Sequence, residues 1–404
     1  MPDAIYGSGI YLFVPMSHVT YIVTDPMTVK IYLKPQIKAL VHHKWQVSVI
    51  CGGDRSKLPD GKELEGVDIY HVPMRREIDP LTDAFALARL FTLLLRLRPT
   101  IVNAGTPKAG LIGMIASRLA CIPVRIYQLH GLRLETATGW RRHLFSVTER
   151  MACWCAQKVL CVSPSLEKKV LELRICKPHK LAVLGSGSCA GVHFDDYRPT
   201  PGRLAVAKGL RQQLGIPFDA PVLGFIGRLT KDKGIVELLQ AFSLISQRVP
   251  AAHLLLVGPF EDGDPVPEET RREIAENPRI RHVEWVDDPR PFLHLMSVFV
   301  LPTHREGLPG VLLEASAAET PVVATRATGV VDVVVNEQTG LVSEIGDAAS
   351  LADNTLRLLL NPALEREFVG RARQKVEAEF SREQVLRLLE SFYHELCVQS
   401  GVRG

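Results

Sequence analysis

The fold of this chain is decided by the stretch Pro302-Thr303-His304-Arg305-Glu306-Gly307-Leu308-Pro309-Gly310-Val311-Leu312-Leu313-Glu314-Ala315. The apolar run Phe299-Val300-Leu301 that precedes it is short enough to be one buried strand. The residues after Pro309-Gly310 have the pattern of a helix that begins there. A strand, a tight loop and a helix N-terminus bring backbone N–H groups together. The stretch therefore predicts an anion site in an α/β protein.

Two carboxylates flank this predicted anion site, Glu306 in the loop and Glu314 early in the helix. An anion site between two acids suits a ligand that carries both phosphate and several hydroxyls, such as a sugar nucleotide. The alternative is a solvated loop acid together with a helix acid favoured by the helix dipole. The full string, placed between a strand and a helix, favours the functional interpretation.

A second charged loop follows a candidate strand at residues 221–227. Arg228 and Lys233 bracket this loop, and a helix is expected to begin after Gly234. Two cations and the positive end of a helix dipole then face one point. This arrangement predicts a diphosphate site, whereas the alternative is a pair of solvated loop cations.

Strands and helices alternate along the chain, with first-half strand candidates at residues 18–24, 46–51, 67–72, 101–104, 124–128 and 158–163. The pattern restarts at residue 221, and it predicts doubly wound parallel sheets of an α/β protein. A chain of 404 residues also exceeds one ordinary core. We predict an N-terminal domain at residues 1–195 with a terminal helix at about 380–397, and a C-terminal domain at 196–379. A strand is further expected at residues 283–286 and one helix at residues 366–397.

Composition is that of a globular protein, with 46% hydrophobic and 23% charged residues and no run of about 20 apolar residues. Residues 1–200 carry 26 Lys and Arg against 16 Asp and Glu, and residues 201–404 carry 22 against 28. The first half is thus +10 and the second −6, which sums to the net +4. A basic first half suggests a membrane surface, a phosphorylated acceptor or nucleic acid as partner. Nucleic acid is disfavoured because no known binding module accompanies the charge.

A candidate interaction surface lies at residues 133–145, where Trp140 is followed by Arg141 and Arg142. Basic residues mixed with large apolar ones suit a membrane interface that carries anionic lipid. A plain surface helix with its aromatic side chains packed inward is the alternative.

The 8 cysteines have no zinc spacing, and Cys153 and Cys155 lie in a helical, apolar pattern. Buried thiols in a reducing cytoplasm are therefore expected. Residues 1–15 are interpreted as a tail ahead of the first strand, with Met16 as an alternative start.

The string E-G-L-P-G-V-L-L-E-A from Glu306 to Ala315, with seven residues between its two acids, resembles the signature of the family 4 retaining glycosyltransferases of the GT-B fold. Gly227-Arg228 and Lys233-Gly234 match the family's phosphate-binding motif. The resemblance covers nearly all of residues 16–397. It implies two Rossmann-like domains that face a cleft, with a C-terminal helix that crosses back to the first domain.

The resemblance also implies roles for individual residues. Arg228 and Lys233 are expected to bind the diphosphate of the donor, and Glu306 the hydroxyls of its sugar. Glu314 is expected to accept hydrogen bonds from the ribose hydroxyls, and His130 matches a histidine of the family that lies near the transferred sugar. The remaining expected donor contacts are Gly227, Gly307, Leu308, Pro309 and Gly310 in the loops and Val286 and Asp287 near the base.

The implied reaction moves a hexosyl or N-acetylhexosaminyl unit from a nucleoside diphosphate sugar with retention of configuration. Closer resemblance is to bacterial transferases of capsule, exopolysaccharide and O-antigen synthesis, which implies a lipid-linked saccharide acceptor and a peripheral position at the inner face of the cytoplasmic membrane. A UDP-sugar is the expected donor and GDP-mannose the second candidate. No cofactor and no metal are expected, because the Arg/Lys pair can replace Mg²⁺ electrostatically. The competing functions are those of a sugar-nucleotide epimerase, a phosphorylase and a non-catalytic sugar-nucleotide-binding subunit.

Overall fold

The computed structural model describes residues 17–59, 63–74 and 79–401. The chain divides into two compact units. Unit 1 comprises Met1–Gln128, Thr148–Val159 and Leu388–Gly404, and unit 2 comprises Leu129–Val147 and Leu160–Arg387. The tail predicted at residues 1–15 lies outside the described residues, and the predicted domain boundaries stay predictions.

Thirteen strands are present among the described residues. They are β1 (His18–Val23), β2 (Gln46–Cys51), β3 (Val67–His71), β4 (Ile101–Gly105), β5 (Val124–Leu129), β6 (Lys158–Cys161), β7 (Leu181–Ala182), β8 (Val222–Ile226), β9 (His253–Val257), β10 (Ile280–Val283), β11 (Val298–Leu301), β12 (Val322–Thr325) and β13 (Leu341–Ser343). They form a seven-stranded sheet in the order β3-β2-β1-β4-β5-β6-β7 and a six-stranded sheet in the order β10-β9-β8-β11-β12-β13. The strand pairs described within both sheets are parallel, so the predicted doubly wound sheets are confirmed.

The α-helices of the described residues are α1 (Pro26–Thr28), α2 (Lys34–His42), α3 (Pro80–Leu97), α4 (Pro107–Leu119), α5 (Gly139–Cys155), α6 (Pro164–Glu172), α7 (Pro201–Gln213), α8 (Ile235–Arg248), α9 (Glu268–Glu276), α10 (Arg290–Leu293), α11 (Gly310–Ala317), α12 (Val330–Val333), α13 (Ala348–Leu359), α14 (Pro362–Phe380) and α15 (Arg382–Gln399). Several begin with a side-chain cap, as where Ser163 accepts from the backbone N–H of Leu166 ahead of α6. Cys153 and Cys155 are buried within α5, as predicted.

Two elements differ from the sequence prediction. The strand expected at residues 283–286 is instead Ile280–Val283, because its partner β9 ends at Val257, which pairs with Val283. The single helix expected at residues 366–397 is two helices. Ser381 between them is extended, and Val192 takes the backbone hydrogen bonds on either side, donating to Phe380 O and accepting from Arg382 N.

The strand order of unit 2 positions its loops. β8 pairs with β9 on one side and with β11 on the other, so the chain order reverses between β8 and β11. Ligands of such sheets bind beyond the carboxyl ends of the strands at this switch point. The four residues of β11 and of β12 are buried, as expected for a parallel sheet covered on both faces. This core fixes the loops that leave β8 and β11.

The end of α15 belongs to unit 1, where it packs beside the first sheet, so the predicted return of the terminal helix is confirmed. Tyr393 is fully buried, and its hydroxyl accepts from Asn103 Nδ2 at 2.7 Å and lies 3.2 Å from the hydroxyl of Tyr21. Glu390 accepts from the indole Nε1 of Trp45 at 3.2 Å. Across the described part of the chain, every helix is too short or too polar to span a membrane.

Candidate active site

Two loops of unit 2 form the candidate site. One runs from Gly227 to Gly234 after β8, and the other joins β11 to α11 and contains Glu306. They touch at Gly234, whose φ is +71° and whose added Cβ would lie closer than 3.0 Å to the carbonyl of Pro302. Only glycine combines this backbone conformation with that approach. Loops predicted separately from the sequence are therefore in direct contact.

Lys233 and Glu306 meet across these loops, where the Lys233 ammonium donates to Glu306 Oε1. Their side chains are 16% and 14% exposed, so the pair is largely removed from water. Each group keeps further capacity, because an ammonium has three donors and a carboxylate about four acceptor positions. The pair can therefore bind an anion and a hydroxyl side by side.

Asp232 lies among the cations of the site. Arg305 Nη2 donates to its Oδ2 at 2.5 Å, and Thr230 Oγ1 donates to its Oδ1 at 2.6 Å. Burial by itself raises the pKa of Asp232, but Arg305, Thr230, Lys233 and Arg228 together hold that pKa below its ordinary value. Asp232 thus stays ionised and positions Arg305 directly before Glu306.

His304 anchors the same loop to α8. Its backbone N–H donates to Asp232 O at 2.8 Å, and its Nε2 lies 2.9 Å from Glu237 Oε1. The hydrogen bond to Glu237 raises the pKa of His304 and lowers that of Glu237. The pairing favours an imidazolium that holds residues 302–306 against the start of α8.

Arg228 is paired with a different acid, Glu261, in the loop that follows β9. The Arg228 side chain is 47% exposed, unlike that of Lys233. The positive charges of Arg228 and Lys233 nevertheless both lower the pKa of Asp232. Arg228 and Lys233 lie in the same loop, as their positions in the sequence require, and their role in binding a diphosphate stays a prediction. The pairing of Arg228 with Glu261 was not predicted.

His130 lies against the Glu306 loop. A Cβ on Gly307 would come closer than 3.0 Å to the carbonyl of His130, so only glycine fits there. The carbonyl of Gly307 is fixed by Ser163, whose hydroxyl donates to Gly307 O at 2.6 Å. Burial lowers the pKa of His130 to about 4. At neutral pH the imidazole is therefore uncharged and can donate or accept a hydrogen bond but adds no positive charge.

Glu314 lies on α11 on the side of Tyr197, one turn beyond the helix start. Burial raises the pKa of Glu314, and the Tyr197 hydroxyl and the nearby Arg382 partly oppose this shift. Burial and the Glu314 charge in turn raise the pKa of Tyr197. Glu314 thus has a neutral donor and a nearby cation that is not directly paired with it, unlike Glu306, which is paired with Lys233.

The remaining predicted donor contacts are distributed over the two loops and the segment after β10. Pro309 caps α11, and its carbonyl accepts from Leu312 N at 3.0 Å, so Gly310 begins the helix. Leu308 packs against the core of unit 2. Gly227 N donates to Val257 O at 2.9 Å, which holds the start of the Arg228 loop.

Val286 and Asp287 follow β10 on an irregular segment. Val286 packs against the core of unit 2, whereas Asp287 is exposed and accepts from Trp285 Nε1 at 3.3 Å. The contacts of both residues are local, and the expected role of Val286 and Asp287 in binding the nucleotide base stays a prediction.

Sequence reasoning assigned no role to several residues of this cluster: Asp232, Arg305, His304, Glu261 and Tyr197. The first three stand within or beside the motifs already quoted, so their proximity was available as a signal. Glu261 lies in a loop whose acid-rich composition is visible in the sequence. Nothing in the sequence indicates that this loop reaches Arg228.

Within residues 17–59, 63–74 and 79–401, no group of three or more His, Cys, Asp or Glu side chains is arranged to hold a metal ion. The expectation of a metal-free reaction stays a prediction.

Comparison with known proteins identifies the family. The profile described as "Glycosyl transferases group 1" matches residues 220–361, and that described as "Glycosyl transferase 4-like domain" matches residues 28–187. The capsular polysaccharide biosynthesis glycosyltransferase CapM of Staphylococcus aureus is 38% identical over 344 residues, which is 84% of this chain and 89% of that protein. The chain belongs to the family 4 glycosyltransferases. The predicted activity is thereby confirmed at the level of glycosyl transfer.

Some relatives of this glycosyltransferase share less sequence with it. One is the UDP-Gal:alpha-D-GlcNAc-diphosphoundecaprenol alpha-1,3-galactosyltransferase of Escherichia coli, 25% identical over 80% of this chain and 82% of that protein. Among solved structures, HepE from Anabaena in complex with UDP and glucose superposes with a TM-score of 0.75 at 18% identity, covering 94% of this chain and 100% of that one. Sucrose-phosphate synthase from Thermosynechococcus elongatus reaches a TM-score of 0.78 at 20% identity over 95% of this chain and 100% of that one. These likenesses confirm the predicted GT-B fold.

Proposed function

We propose that this glycosyltransferase moves a hexosyl or N-acetylhexosaminyl unit from a UDP-sugar to a lipid-linked saccharide, with retention of configuration, in the synthesis of a surface polysaccharide. The observation that carries the proposal is the Lys233–Glu306 pair at the switch point of the second sheet. A cation and an acid held together there suit the junction between a diphosphate and a sugar. The activities named for the relatives support the same class of reaction.

Charge development explains why cations and a helix start are needed. As the bond between the anomeric carbon and the phosphate oxygen breaks, negative charge collects on the leaving diphosphate. Lys233 and the N-terminus of α11 are fixed in advance, and Arg228 is in place once the donor is bound, so the three stabilise that charge without rearranging as the bond breaks. Glu306 accepts hydrogen bonds from the sugar hydroxyls while its partner Lys233 faces the phosphate.

Retention follows when the acceptor hydroxyl attacks from the side that the diphosphate leaves. The hydroxyl oxygen bonds to the anomeric carbon as the bond between that carbon and the phosphate oxygen breaks. The hydroxyl proton passes to the leaving phosphate oxygen. Glu306 is not the nucleophile in this scheme, because its carboxylate is already paired with Lys233. Neutral His130 contributes a hydrogen bond to the transferred sugar.

The proposed donor is a UDP-sugar. The Escherichia coli relative is named for UDP-Gal, and HepE was solved with UDP and with UDP-glucose. GDP-mannose is the second candidate. Glu314 is proposed to accept hydrogen bonds from the ribose hydroxyls. Both nucleotides carry this ribose, so Glu314 does not distinguish them.

The proposed acceptor places the reaction at the inner face of the cytoplasmic membrane. The Escherichia coli relative is named for a diphosphoundecaprenol-linked sugar. Trp140 of α5 is 68% exposed, and the Arg141 guanidinium lies 5.7 Å from its ring centroid. An exposed indole beside cations suits anionic lipid headgroups, which supports the membrane prediction made for residues 133–145.

A donor panel tests the proposal. Purified protein is incubated with UDP-, GDP- and dTDP-sugars and a polyprenyl-diphosphate saccharide, and the anomeric configuration of the product is read by NMR. We expect transfer from a UDP-sugar with retention, unaffected by chelator. Transfer from GDP-mannose alone would select the second candidate, and inversion or loss of turnover with chelator would contradict the mechanism.

A variant pair tests whether the protein is catalytic. Glu306→Ala should abolish transfer, whereas Glu344→Ala removes an exposed acid of the same unit and should retain it. Full transfer by Glu306→Ala would instead support a non-catalytic binding subunit.

A further inference from the structure

The acidic loop after β9 is built onto the Arg228 loop of the candidate site. Leu229 N donates to Pro259 O at 2.8 Å, and Lys231 N donates to Asp264 O at 3.2 Å. Asp232 N donates to the Asp264 carboxylate at 2.8 Å. Two backbone hydrogen bonds and one to the Asp264 carboxylate thus fix residues 259–264 alongside residues 229–232, independently of any ion pair.

Glu261 lies in the middle of this attached loop and pairs with the Arg228 guanidinium. Its side chain is 22% exposed, whereas that of Arg228 is 47% exposed. The pair therefore lies at the edge of the site, where water and a ligand can reach the cation. Lys233 and Glu306 form the inner, less exposed pair.

A second acid of the same loop provides a contrast. Asp262 follows Glu261 directly, carries the same charge and is exposed. Among the described residues, the ion pair of Arg228 is with Glu261 and does not include Asp262. Position in the loop, rather than loop charge alone, therefore determines which acid holds Arg228.

We infer that Glu261 is a displaceable counter-charge for Arg228, and that it sets the affinity of the site for nucleoside diphosphates. Without donor, Glu261 holds the guanidinium in place and neutralises it. A diphosphate must replace this carboxylate before Arg228 can bind it, so part of the attraction is offset by the lost ion pair. The inference rests on the proposed function, because it assumes that Arg228 contacts the diphosphate.

Removal of the Glu261 charge should therefore tighten binding. Exposed ion pairs stabilise proteins by up to about 1 kcal/mol, which corresponds to a roughly two- to fivefold lower Kd for UDP in Glu261→Gln. The gain should shrink as salt screens the exposed pair. Because the backbone hydrogen bonds of residues 259–264 do not involve the Glu261 side chain, the loop stays attached in the variant.

The experiment is calorimetric titration of UDP and of inorganic pyrophosphate into the full chain at low and high salt. It compares wild type with Glu261→Gln, the matched control Asp262→Asn, Arg228→Ala and the double variant Arg228→Ala/Glu261→Gln. We expect Glu261→Gln to bind both probes more tightly than Asp262→Asn does. We also expect the gain to disappear in the double variant, because Arg228 is then absent.

Several results would overturn the inference. Equal gains in Glu261→Gln and Asp262→Asn would assign the effect to long-range charge, and weaker binding in Glu261→Gln would make Glu261 itself a donor ligand. A gain that persists without Arg228 would exclude the pair as its cause. In each of these cases wild type still binds UDP and the proposed function stands. Absence of binding in wild type and every variant would instead refute the proposed function together with the inference.

Discussion

One group of buried polar side chains in unit 1, around Tyr393, is joined by neutral hydrogen bonds, whereas the loop cluster of unit 2 is joined by ion pairs. In unit 1, Asn103 Nδ2 donates to Tyr393 OH at 2.7 Å and to Gln128 Oε1 at 3.0 Å, and Tyr21 OH donates to Gln36 Oε1 at 3.1 Å. In unit 2, Lys233 pairs with Glu306 and Arg228 with Glu261.

The difference separates a structural network from a binding one. Buried amides and hydroxyls that satisfy one another need no ligand, so the unit 1 network fastens α15 to the first sheet. Partly exposed charges satisfy one another incompletely and can exchange partners with an anion or a hydroxyl. Substitutions in unit 1 should therefore change stability, and substitutions in the unit 2 cluster should change transfer.

The largest effect is expected for Lys233→Ala. Loss of the inner cation should lower kcat/KM for the donor by roughly 10²–10³-fold, since a preorganised group that meets developing charge is removed. Lys231→Ala, which removes an exposed cation of the same turn, should stay within about twofold because a solvated charge contributes little. Steady-state transfer assays check both variants. Equal losses of kcat/KM would show that the total positive charge of the loop matters rather than the position of Lys233.

Gly307→Ala should be the next most damaging change. The new Cβ would meet the backbone carbonyl of His130 closer than 3.0 Å, and a backbone atom cannot rotate away. We expect a loss of about 1–3 kcal/mol in the free energy of unfolding and a fall in transfer. Gly370→Ala on α14 meets nothing within 4 Å and should stabilise by up to about 1 kcal/mol. Urea unfolding should therefore show a lower free energy of unfolding than wild type for Gly307→Ala and a higher one for Gly370→Ala.

Tyr393→Phe tests the neutral network. It removes the hydroxyl that accepts from Asn103, so a buried amide loses a partner at a cost of about 1–3 kcal/mol in unfolding free energy. UDP affinity should be unchanged. Tyr70→Phe on β3, which is only half buried, should stay within about 0.5 kcal/mol. A large drop in UDP affinity with unchanged stability would contradict the structural assignment.

The smallest effect concerns the pH dependence of the His304–Glu237 pair. The pair raises the pKa of His304 above its ordinary value of 6.5, so its stabilisation is fully present below that value and is lost as pH rises through the raised pKa. The difference in urea midpoint between wild type and His304→Gln should therefore be larger at about pH 6 than at about pH 9. A difference that is equal at both pH values would show that the imidazolium does not contribute.

Much of the fold was predictable because strands buried on both faces leave continuous apolar runs, as at β9 and β11. The predictions failed where a distant segment decided the local structure. The end of β10 is set by the end of its partner β9, and the break between α14 and α15 is set by Val192. Periodicity along the sequence carries no information about either partner.

The sequence by itself determined the two parallel sheets, the family and the choice of Arg228, Lys233, Glu306 and Glu314, because strand runs, glycine loops and charged motifs are local in the chain. The tertiary structure decided which charges meet. Lys233 lies 73 residues from Glu306 and Arg228 lies 33 from Glu261, and only the order of β9, β8 and β11 brings these loops together. Ion pairing depends on distances of a few ångströms in space, and these are fixed by sheet order rather than by position along the chain.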